Sequence, residues 1–313
     1  MSKQTTSPAL PIAPKHWPLW LGLGLLRLLN FLPFAWQLKL GSLLGRLIYR
    51  LARSRRHVAA TNLRLCFPEL SDEARQQLLR EHFHSMGIMV FELGLSWWAS
   101  DRRLAALTEI EGLEHLEHAI EQGKGALLLG AHYTTLDISG HLLATQTQLP
   151  IRSMYRPHEN PVIEYVMRRG RESYLDSLIP RDDIRGLIRT LKQNKVVWYA
   201  PDQAYQGKGS ALVPFFGIPA ATNTGTSRIA KMSKTAVIPF ISVRKADGSG
   251  YRLKLLPPLE SFPSGDEIAD ATRIHHVFEE QIRKNKAQYF WVHKRFKLKW
   301  QSGEDVYKQV KDD

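Results

Sequence analysis

The segment at 130–137, GAHYTTLD, places a carboxylate five residues after a histidine. An imidazole can accept a proton near neutral pH, and a carboxylate on its other ring nitrogen can orient it. The apolar run at 126–129 predicts a buried strand before His132, and the periodic apolar residues at 136–143 predict a helix after it. Residues five apart on a helix with about 3.6 residues per turn point in nearly opposite directions. A base and its orienter therefore require His132 in the turn before the helix and Asp137 in its first turn.

The same residues also have a purely structural interpretation. Thr134 followed three residues later by Asp137 is the pattern of a capping box, in which two side chains bind free backbone amides at a helix start. In that case Asp137 caps the helix and His132 packs against its neighbours. At this point both interpretations stay open.

Helices and strands alternate along most of the chain. We expect Ser71 to cap a long helix, Pro161 to begin another, and a last helix to span about 266–287. Further strands are predicted by short apolar segments at 151–155, 196–199, 237–243 and 251–256, the last two forming a hairpin. This alternation predicts an α/β fold with a largely parallel central sheet flanked by helices.

Three polar side chains follow predicted strands directly: His132, Arg156 and Asp202. Ligands of such sheets gather beyond the carboxyl ends of the strands, so we expect these three residues to converge. Taken singly, Arg156 could be a surface residue before a turn, and Asp202 could cap the turn after Pro201. Taken together, they favour a functional site that includes His132.

Positive charge is concentrated at the N-terminus. The 313-residue chain has a formal net charge of +13, and residues 1–68 contain ten Lys and Arg but no Asp or Glu. The same region holds the most apolar stretch, WPLWLGLGLLRLLNFLPFAW at 17–36. A chain with an apolar segment beside a basic cluster is typical of a protein that meets an anionic membrane surface.

The segment 17–36 has about the length of a membrane-spanning helix, but Arg27 near its middle disfavours a simple span. A helix that lies in the interface, or a re-entrant helix broken at Pro33, accommodates this arginine better. If the segment does span, the following arginines place the rest of the chain in the cytoplasm. The alternative is an amphipathic helix of a soluble core. No small-residue cleavage site follows, which disfavours a signal peptide.

Cysteine and histidine placement excludes several classes. The single Cys66 rules out a disulfide within the chain, and no cluster has the spacing of a zinc site. We expect no metal and no cofactor. The basic charge could suggest nucleic-acid binding, but it lies beside an apolar segment and no RNP-like or zinc-finger motif is present. A nucleic-acid partner is therefore not expected.

Six ordered motifs along the chain carry a family resemblance. They are GAHYTTLD at 130–137, MYRPHENPVIE at 154–164, VVWYAPDQAY at 196–205, VPFFG at 213–217, TNTGTSRIAKMSKTAVIPF at 222–240 and YFWVHKRFK at 289–297. On these motifs the chain resembles the late acyltransferases of lipid A biosynthesis, the lauroyl and myristoyl transferases of Gram-negative bacteria. It looks closer to the lauroyl-type branch. These enzymes belong to the wider His-x4-Asp/Glu group of glycerolipid acyltransferases.

The resemblance implies a reaction and residue roles. It implies acyl transfer from acyl carrier protein to the hydroxyl of a 3-hydroxyacyl chain on a Kdo-bearing lipid A precursor. His132 would be the general base and Asp137 its partner, while Arg156 and Asp202 would bind substrate or the oxyanion. The acceptor hydroxyl is itself the nucleophile, so no protein Ser or Cys is needed.

The partners implied are acyl carrier protein, the anionic precursor and the membrane, at the cytoplasmic face of the bacterial inner membrane. Basic runs that could meet them are Arg168, Arg169 and Arg171, and the stretch 294–299, although such runs can also be merely solvated. A glycerol-phosphate or lysophosphatidate acyltransferase is the alternative function. The predicted organisation is a mobile tail at 1–14, a membrane-associating segment at 15–60 and one acyltransferase domain at 61–313.

Overall fold

The computed structural model of the chain describes residues 10–297 and 305–308. Lys299 of the basic stretch and most of the predicted tail at 1–14 therefore lie outside the described residues. The helices of the N-terminal half are α1 (Trp17–Leu29), α2 (Phe34–Leu51), α3 (Arg53–Cys66), α4 (Asp72–Trp98), α5 (Asp101–Ala106), α6 (Leu113–Glu121) and α7 (Leu136–Ala144). They are followed by α8 (Pro161–Glu172), α9 (Ile184–Lys192), α10 (Gly225–Ser233) and α11 (Glu267–Lys284).

The strands are shorter than the helices. They are β1 (Thr108–Glu111), β2 (Ala126–Gly130), β3 (Ile151–Tyr155), β4 (Ser177–Pro180), β5 (Val196–Tyr199), β6 (Ser210–Phe215), β7 (Ile218–Asn223), β8 (Ala236–Arg244) and β9 (Tyr251–Leu255). Seven of them form one sheet in the order β1-β9-β8-β2-β5-β3-β4, and β6 and β7 form a separate hairpin.

The central sheet is largely parallel, as the alternation of elements predicts. Strands β8, β2, β5, β3 and β4 run parallel, whereas β9 returns antiparallel to β8 as the predicted hairpin, and β1 pairs in parallel with β9. The sequence interpretation did not include β1, β4 or the β6–β7 hairpin. Strands β1 and β4 have only four residues each, too few for a periodic pattern to stand out.

Helices cover both faces of the sheet. In β2, Leu127 and Leu129 pack in one core with residues of α3, α4, α9, α10 and α11. Ala126 and Leu128 face a second core with residues from α5, α6, α7 and the end of α4. All five residues of β2 are buried, because a parallel strand between two helical layers has no solvent face.

The apolar stretch at 17–36 forms two helices instead of one. Helix α1 ends at Leu29, and α2 begins at Phe34 with Pro33 as its N-cap, so the predicted break at Pro33 is confirmed. Among the described residues, no helix has both the length and the hydropathy needed to cross a membrane. Large apolar side chains of this region nevertheless face solvent, including Leu21, Leu28 and Phe31 at 75%, 67% and 80% exposure.

Helix α2 lies directly against α4 because glycines meet at their contact. A Cβ atom on Gly87 would lie 2.1 Å from the carbonyl oxygen of Gly41 and 2.2 Å from the backbone nitrogen of Gly45. Only glycine permits backbones to approach this closely. Helix α3 then continues into the core through Val58, Ala59 and Leu63. The predicted boundary between residues 60 and 61 falls within this helix, and the division there stays a prediction.

Candidate active site

His132 lies in the turn between β2 and α7, as its place after an apolar strand predicts. Its Nδ1 is 2.5 Å from Oδ1 of Asp202, and its backbone N–H donates to Oδ2 of the same carboxylate over 2.9 Å. The two residues are 70 positions apart in the chain. They meet because β2 and β5 are adjacent parallel strands with Leu129 opposite Tyr199, so the segments that leave them emerge side by side.

The Asp202 carboxylate is completely buried and has three hydrogen-bond donors. Besides the two from His132, the Tyr289 hydroxyl donates to Oδ2 over 3.0 Å. Burial alone would raise the pKa of Asp202, but the adjacent His132 ring and these hydrogen bonds outweigh it and lower the pKa to about 2. Burial and the Asp202 charge raise the pKa of Tyr289 well above its ordinary value, so its hydroxyl remains a donor. Asp202 is therefore a fixed anion at neutral pH.

This arrangement determines which nitrogen of His132 is available. The ionised Asp202 accepts a hydrogen bond, so the proton of a neutral imidazole resides on Nδ1. Within the described part of the chain, Nε2 has no hydrogen-bond partner and is left with a free lone pair. The side chain is 27% exposed, and it lines a cavity of about 220 Å³. His132 thus has the geometry of an oriented base whose reactive nitrogen can meet a ligand.

The expected contact between Asp137 and the His132 ring is not formed, because Asp202 binds the ring and Asp137 binds Arg171. Asp137 lies in the first turn of α7, and its Oδ1 accepts from Nε and Nη2 of Arg171 on α8, over 2.8 and 2.6 Å. Its backbone carbonyl oxygen accepts from the Ser96 hydroxyl of α4 over 3.1 Å. Asp137 therefore joins the start of α7 to α8 and α4. It lines the same cavity as His132, and a role there stays a prediction.

The capping box is also not formed. The residue before α7 is Thr135, not Thr134, and no side chain caps this helix. The Thr135 hydroxyl donates instead to the backbone oxygen of Ser242 on β8, over 2.6 Å. The start of α7 is thus joined to β8 through Thr135 and to the C-terminal segment through the backbone of Thr134, and both threonines are buried.

Arg156 follows β3 and lines the same cavity as His132 and Asp137. The order β2-β5-β3 thus brings the three residues that follow these strands to one edge of the sheet, as expected. The Arg156 side chain is 64% exposed, and its nearest carboxylate is that of Glu159, at 3.5 Å and 90% exposed. Such an exposed pair is weak. The Arg156 guanidinium is therefore free to turn toward an anion in the cavity.

The remaining wall of this cavity is mostly apolar. Next to the polar group it is lined by aliphatic and aromatic side chains, all of them buried or partly buried. They are Leu136, Leu143, Ile151, Met154, Tyr155, Met167, Tyr174, Leu175, Trp198 and Phe240. A cavity with a few polar residues and a long apolar wall suits a ligand with a polar reacting centre and a hydrocarbon chain.

A C-terminal segment closes over the His132 turn. The backbone N–H of Phe290 donates to the His132 carbonyl oxygen over 2.8 Å, and that of Thr134 donates to the Gln288 carbonyl oxygen over 2.7 Å. His293 in this segment accepts from the backbone N–H of Ala204. Burial, followed by the charge of His132, lowers the pKa of His293 to about 4, so it is neutral at physiological pH.

Sequence reasoning from the residues alone did not assign Tyr289, His293 or Arg171 to the site. The only sequence signal for the first two was the motif at 289–297, which contains an unusual density of aromatic and basic residues. Arg171 and Arg295 were expected on basic surfaces, but Arg171 pairs with Asp137 and Arg295 is 3% exposed. Their long side chains reach inward, which a linear charge pattern does not reveal.

Replacement of Tyr289 by phenylalanine should destabilise the protein in a pH-dependent manner. The folded pKa of Asp202, about 2, lies below its ordinary value of 3.8, so this carboxylate stabilises the fold above pH 3.8 and loses that effect as pH falls toward about 2. Loss of the Tyr289 hydrogen bond should cost about 1.5–3 kcal/mol at neutral pH and less in acid. Urea unfolding of the variant and the wild type, at neutral pH and in acid, measures how the difference in their free energy of unfolding changes with pH.

Tyr133→Phe is the matched control, because the Tyr133 hydroxyl is also buried but has no hydrogen-bond partner in the described part of the chain. We expect this variant to be as stable as the wild type or more stable. An equal loss of stability at both pH values in Tyr289→Phe would mean that Tyr289 contributes through packing and not through Asp202.

Comparison with known proteins shows the family of this chain. Residues 7–298 match the family model described as bacterial lipid A biosynthesis acyltransferase. The chain is 39% identical to the lipid A biosynthesis lauroyltransferase of Escherichia coli K12 over 91% of this chain and 93% of that protein. It is 37% identical to the palmitoleoyltransferase of the same organism, with the same coverage. Identity to the E. coli myristoyltransferase is 28%, over 91% of this chain and 88% of that protein.

The family match extends across nearly the whole chain, from before α1 to beyond the segment that closes over His132. It therefore includes every element that positions the His132–Asp202 pair and the apolar cavity. The resemblance stated from the sequence motifs is confirmed. The chain belongs to the bacterial lipid A biosynthesis acyltransferase family and is an O-acyltransferase.

Proposed function

We propose that this enzyme transfers a fatty acyl chain from acyl carrier protein to the hydroxyl of a 3-hydroxyacyl chain on a Kdo-bearing lipid A precursor. The observation that carries the proposal is the His132–Asp202 pair beside an apolar cavity, in a chain of this family. The reaction needs a base for an alcohol, a place for a hydrocarbon chain and no resident cofactor.

In the proposed mechanism, Nε2 of His132 removes the proton of the acceptor hydroxyl as its oxygen attacks the thioester carbonyl carbon. Asp202 holds the ring through Nδ1 and stabilises the imidazolium that forms. The C–O bond forms, the C–S bond breaks, and the imidazolium returns its proton to the leaving thiolate. Both substrates must be bound together, because no protein nucleophile carries the acyl group.

Arg156 and Asp137 have supporting roles in this proposal. The exposed Arg156 guanidinium is our candidate for binding the oxyanion or a substrate phosphate, since it lines the His132 cavity and has only a weak partner. Asp137 acts through Arg171, because their ion pair holds α7 and the cavity wall of α8 together. Asp137 would thus preserve the shape of the site.

The function can be tested with purified enzyme and paired acceptors. With a lauroyl carrier protein as donor, we expect transfer to the Kdo-bearing precursor and none to glycerol 3-phosphate or lysophosphatidate. Preference for either small phosphorylated acceptor would replace the proposal by the alternative glycerolipid function. The chain is about equally identical to the relatives named for lauroyl and palmitoleoyl transfer, at 39% and 37%, so identity does not indicate which acyl chain it prefers. Donors with acyl chains of different length would measure that preference.

We also propose that the enzyme lies at the cytoplasmic face of the inner membrane, with α1 and α2 in the lipid interface. Along these helices and the turn between them, the exposed large apolar residues are Trp17, Leu21, Leu25, Leu28, Phe31, Trp36, Leu43, Leu47 and Leu51. Basic residues of the same region would meet anionic headgroups. An exposed apolar surface of this extent is unusual for a protein surrounded by water.

Removal of three of these side chains should release the enzyme from vesicles. In the triple variant Leu21→Ser, Leu28→Ser, Phe31→Ser, each replaced side chain should weaken vesicle binding by about tenfold or more. The reason is that burial of one such side chain in the membrane contributes about 1.5–3 kcal/mol. Flotation with phosphatidylcholine–phosphatidylglycerol vesicles measures this. Met232→Ser with Ile268→Ser is the control, because these apolar residues are also exposed, at 57% and 50%, but lie on α10 and α11. Equal loss in both sets would contradict the assigned membrane face.

A further inference from the structure

A second cavity, of about 550 Å³, lies between α1, α4 and α8. It shares no lining residue with the cavity that contains His132. Leu23, Trp97, Val166 and Met167 form a small apolar cluster in the same region, and Met167 also lines the His132 cavity. The two spaces are therefore neighbours that open on different sides of α8.

Two arginines, Arg27 of α1 and Arg169 of α8, line this second cavity. Neither forms an ion pair with any carboxylate in the ranges that the structure describes, and no Asp or Glu lines the space. Arg169 donates to the Tyr165 hydroxyl over 3.2 Å, which leaves most of its N–H groups available. Two guanidinium groups facing one cavity without an anion create a site of positive charge.

The walls between the arginines are aromatic and aliphatic. Trp20, Trp97 and Trp98 line the cavity together with Leu23 and Tyr165, and Trp20 packs edge-on to Tyr165 with ring centroids 6.1 Å apart. The neighbouring surface of α1 is the exposed apolar face defined above. A cavity with an apolar wall and a basic rim, beside a membrane-facing helix, is complementary to an anionic lipid.

We propose that this cavity binds a phospholipid of the surrounding membrane, with its phosphate on Arg27 and Arg169 and an acyl chain against the tryptophans. The proposal rests on the proposed placement of α1 in the lipid interface. Both arginines are exposed at the rim of this cavity, so their guanidinium groups can reach a lipid headgroup, and their planar N–H groups match phosphate oxygens. The site gives a function to Arg27, the arginine in the last turn of the apolar helix α1.

Two glycines of α1 permit a direct test of occupancy. Gly24 lines the cavity, whereas Gly22 does not, and a Cβ atom on either would have no neighbour within 4 Å. Leucine can therefore be introduced at both positions without a clash at the backbone, and it favours the helix over glycine. Gly24→Leu places an apolar side chain at a lining position of the cavity while both arginines remain. Gly22→Leu adds the same apolar group and leaves the cavity open.

The experiment is a titration of the enzyme in water with dihexanoyl phosphatidylglycerol, a phospholipid that stays monomeric at low concentration. We expect Gly24→Leu to weaken binding by about tenfold or more, and Arg27→Gln with Arg169→Gln to do the same. Gly22→Leu and the charge-matched Lys231→Gln with Lys284→Gln should bind as the wild type does. The arginine pair provides the test if the Gly24 variant fails to fold.

Three results would overturn the proposal. One is wild-type affinity in both the Gly24 and the double-arginine variant. A second is equally tight binding of inorganic phosphate, which would indicate an ion site without lipid recognition. The third is equally tight binding of uncharged dihexanoylglycerol, which would leave the arginines without a role. The probe needs neither vesicles nor acyl transfer, so a negative result here is separable from failure of the proposed function.

Discussion

His132→Ala should lower kcat by about 10²–10⁴-fold without unfolding the protein, because the alcohol acceptor loses its base. The His132 side chain is partly exposed, so its removal leaves no large void in the core. The measurement is acyl transfer from a radiolabelled carrier protein to the Kdo-bearing precursor, with circular dichroism to establish that the variant is folded.

Cys66→Ser is the control for covalent catalysis. Burial raises the pKa of the Cys66 thiol well above its ordinary value, and a buried thiol at such a pKa is not a nucleophile. We therefore expect this variant to retain transfer. A folded but inactive Cys66→Ser enzyme, or a His132→Ala enzyme with wild-type kcat, would contradict direct transfer by an imidazole base.

Asp202→Asn should lower kcat by about 10³–10⁴-fold, comparable to loss of the carboxylate in other catalytic triads. The asparagine amide can donate to Nδ1, which moves the imidazole proton to Nε2 and removes the lone pair that accepts the acceptor's proton. It also leaves the forming imidazolium without a buried anion. The backbone N–H of His132 and the Tyr289 hydroxyl would still have an amide oxygen to bind, so the fold should persist.

Asp137→Asn is the matched comparison, since it makes the same change in the carboxylate that the spacing of the motif had indicated. Its carboxylate binds Arg171 and not His132, so we expect kcat to fall by about tenfold or less, because only the contact between α7 and α8 is loosened. If Asp137→Asn lost as much kcat as Asp202→Asn while folded, Asp137 would take part in the chemistry through a rearrangement on substrate binding.

Local sequence patterns, each within a single segment, determined several strands, two helix starts and the family of this protein. The segments before His132, Arg156 and Asp202 predicted three strands with bounds close to those observed. For β2 and β5 the reason is that a parallel strand between two helical layers is a continuous apolar stretch. Helix starts at Ser71 and Pro161 were equally local, since a cap or a first-turn proline acts on its own backbone. The ordered motifs were enough to indicate the family.

Only the tertiary structure decided the partner of His132. Spacing along the sequence can suggest as partners only carboxylates a few residues from His132, and so it favoured Asp137. Asp137 instead forms an ion pair with Arg171 on α8. Asp202 reaches the ring from a distant segment through the register of β2 with β5. Tyr289 reaches the Asp202 carboxylate through the segment that closes over the turn. Which side chains meet across strands depends on sheet order and register. The sequence around His132 thus predicted a base, whereas the parallel sheet determined which carboxylate binds its ring.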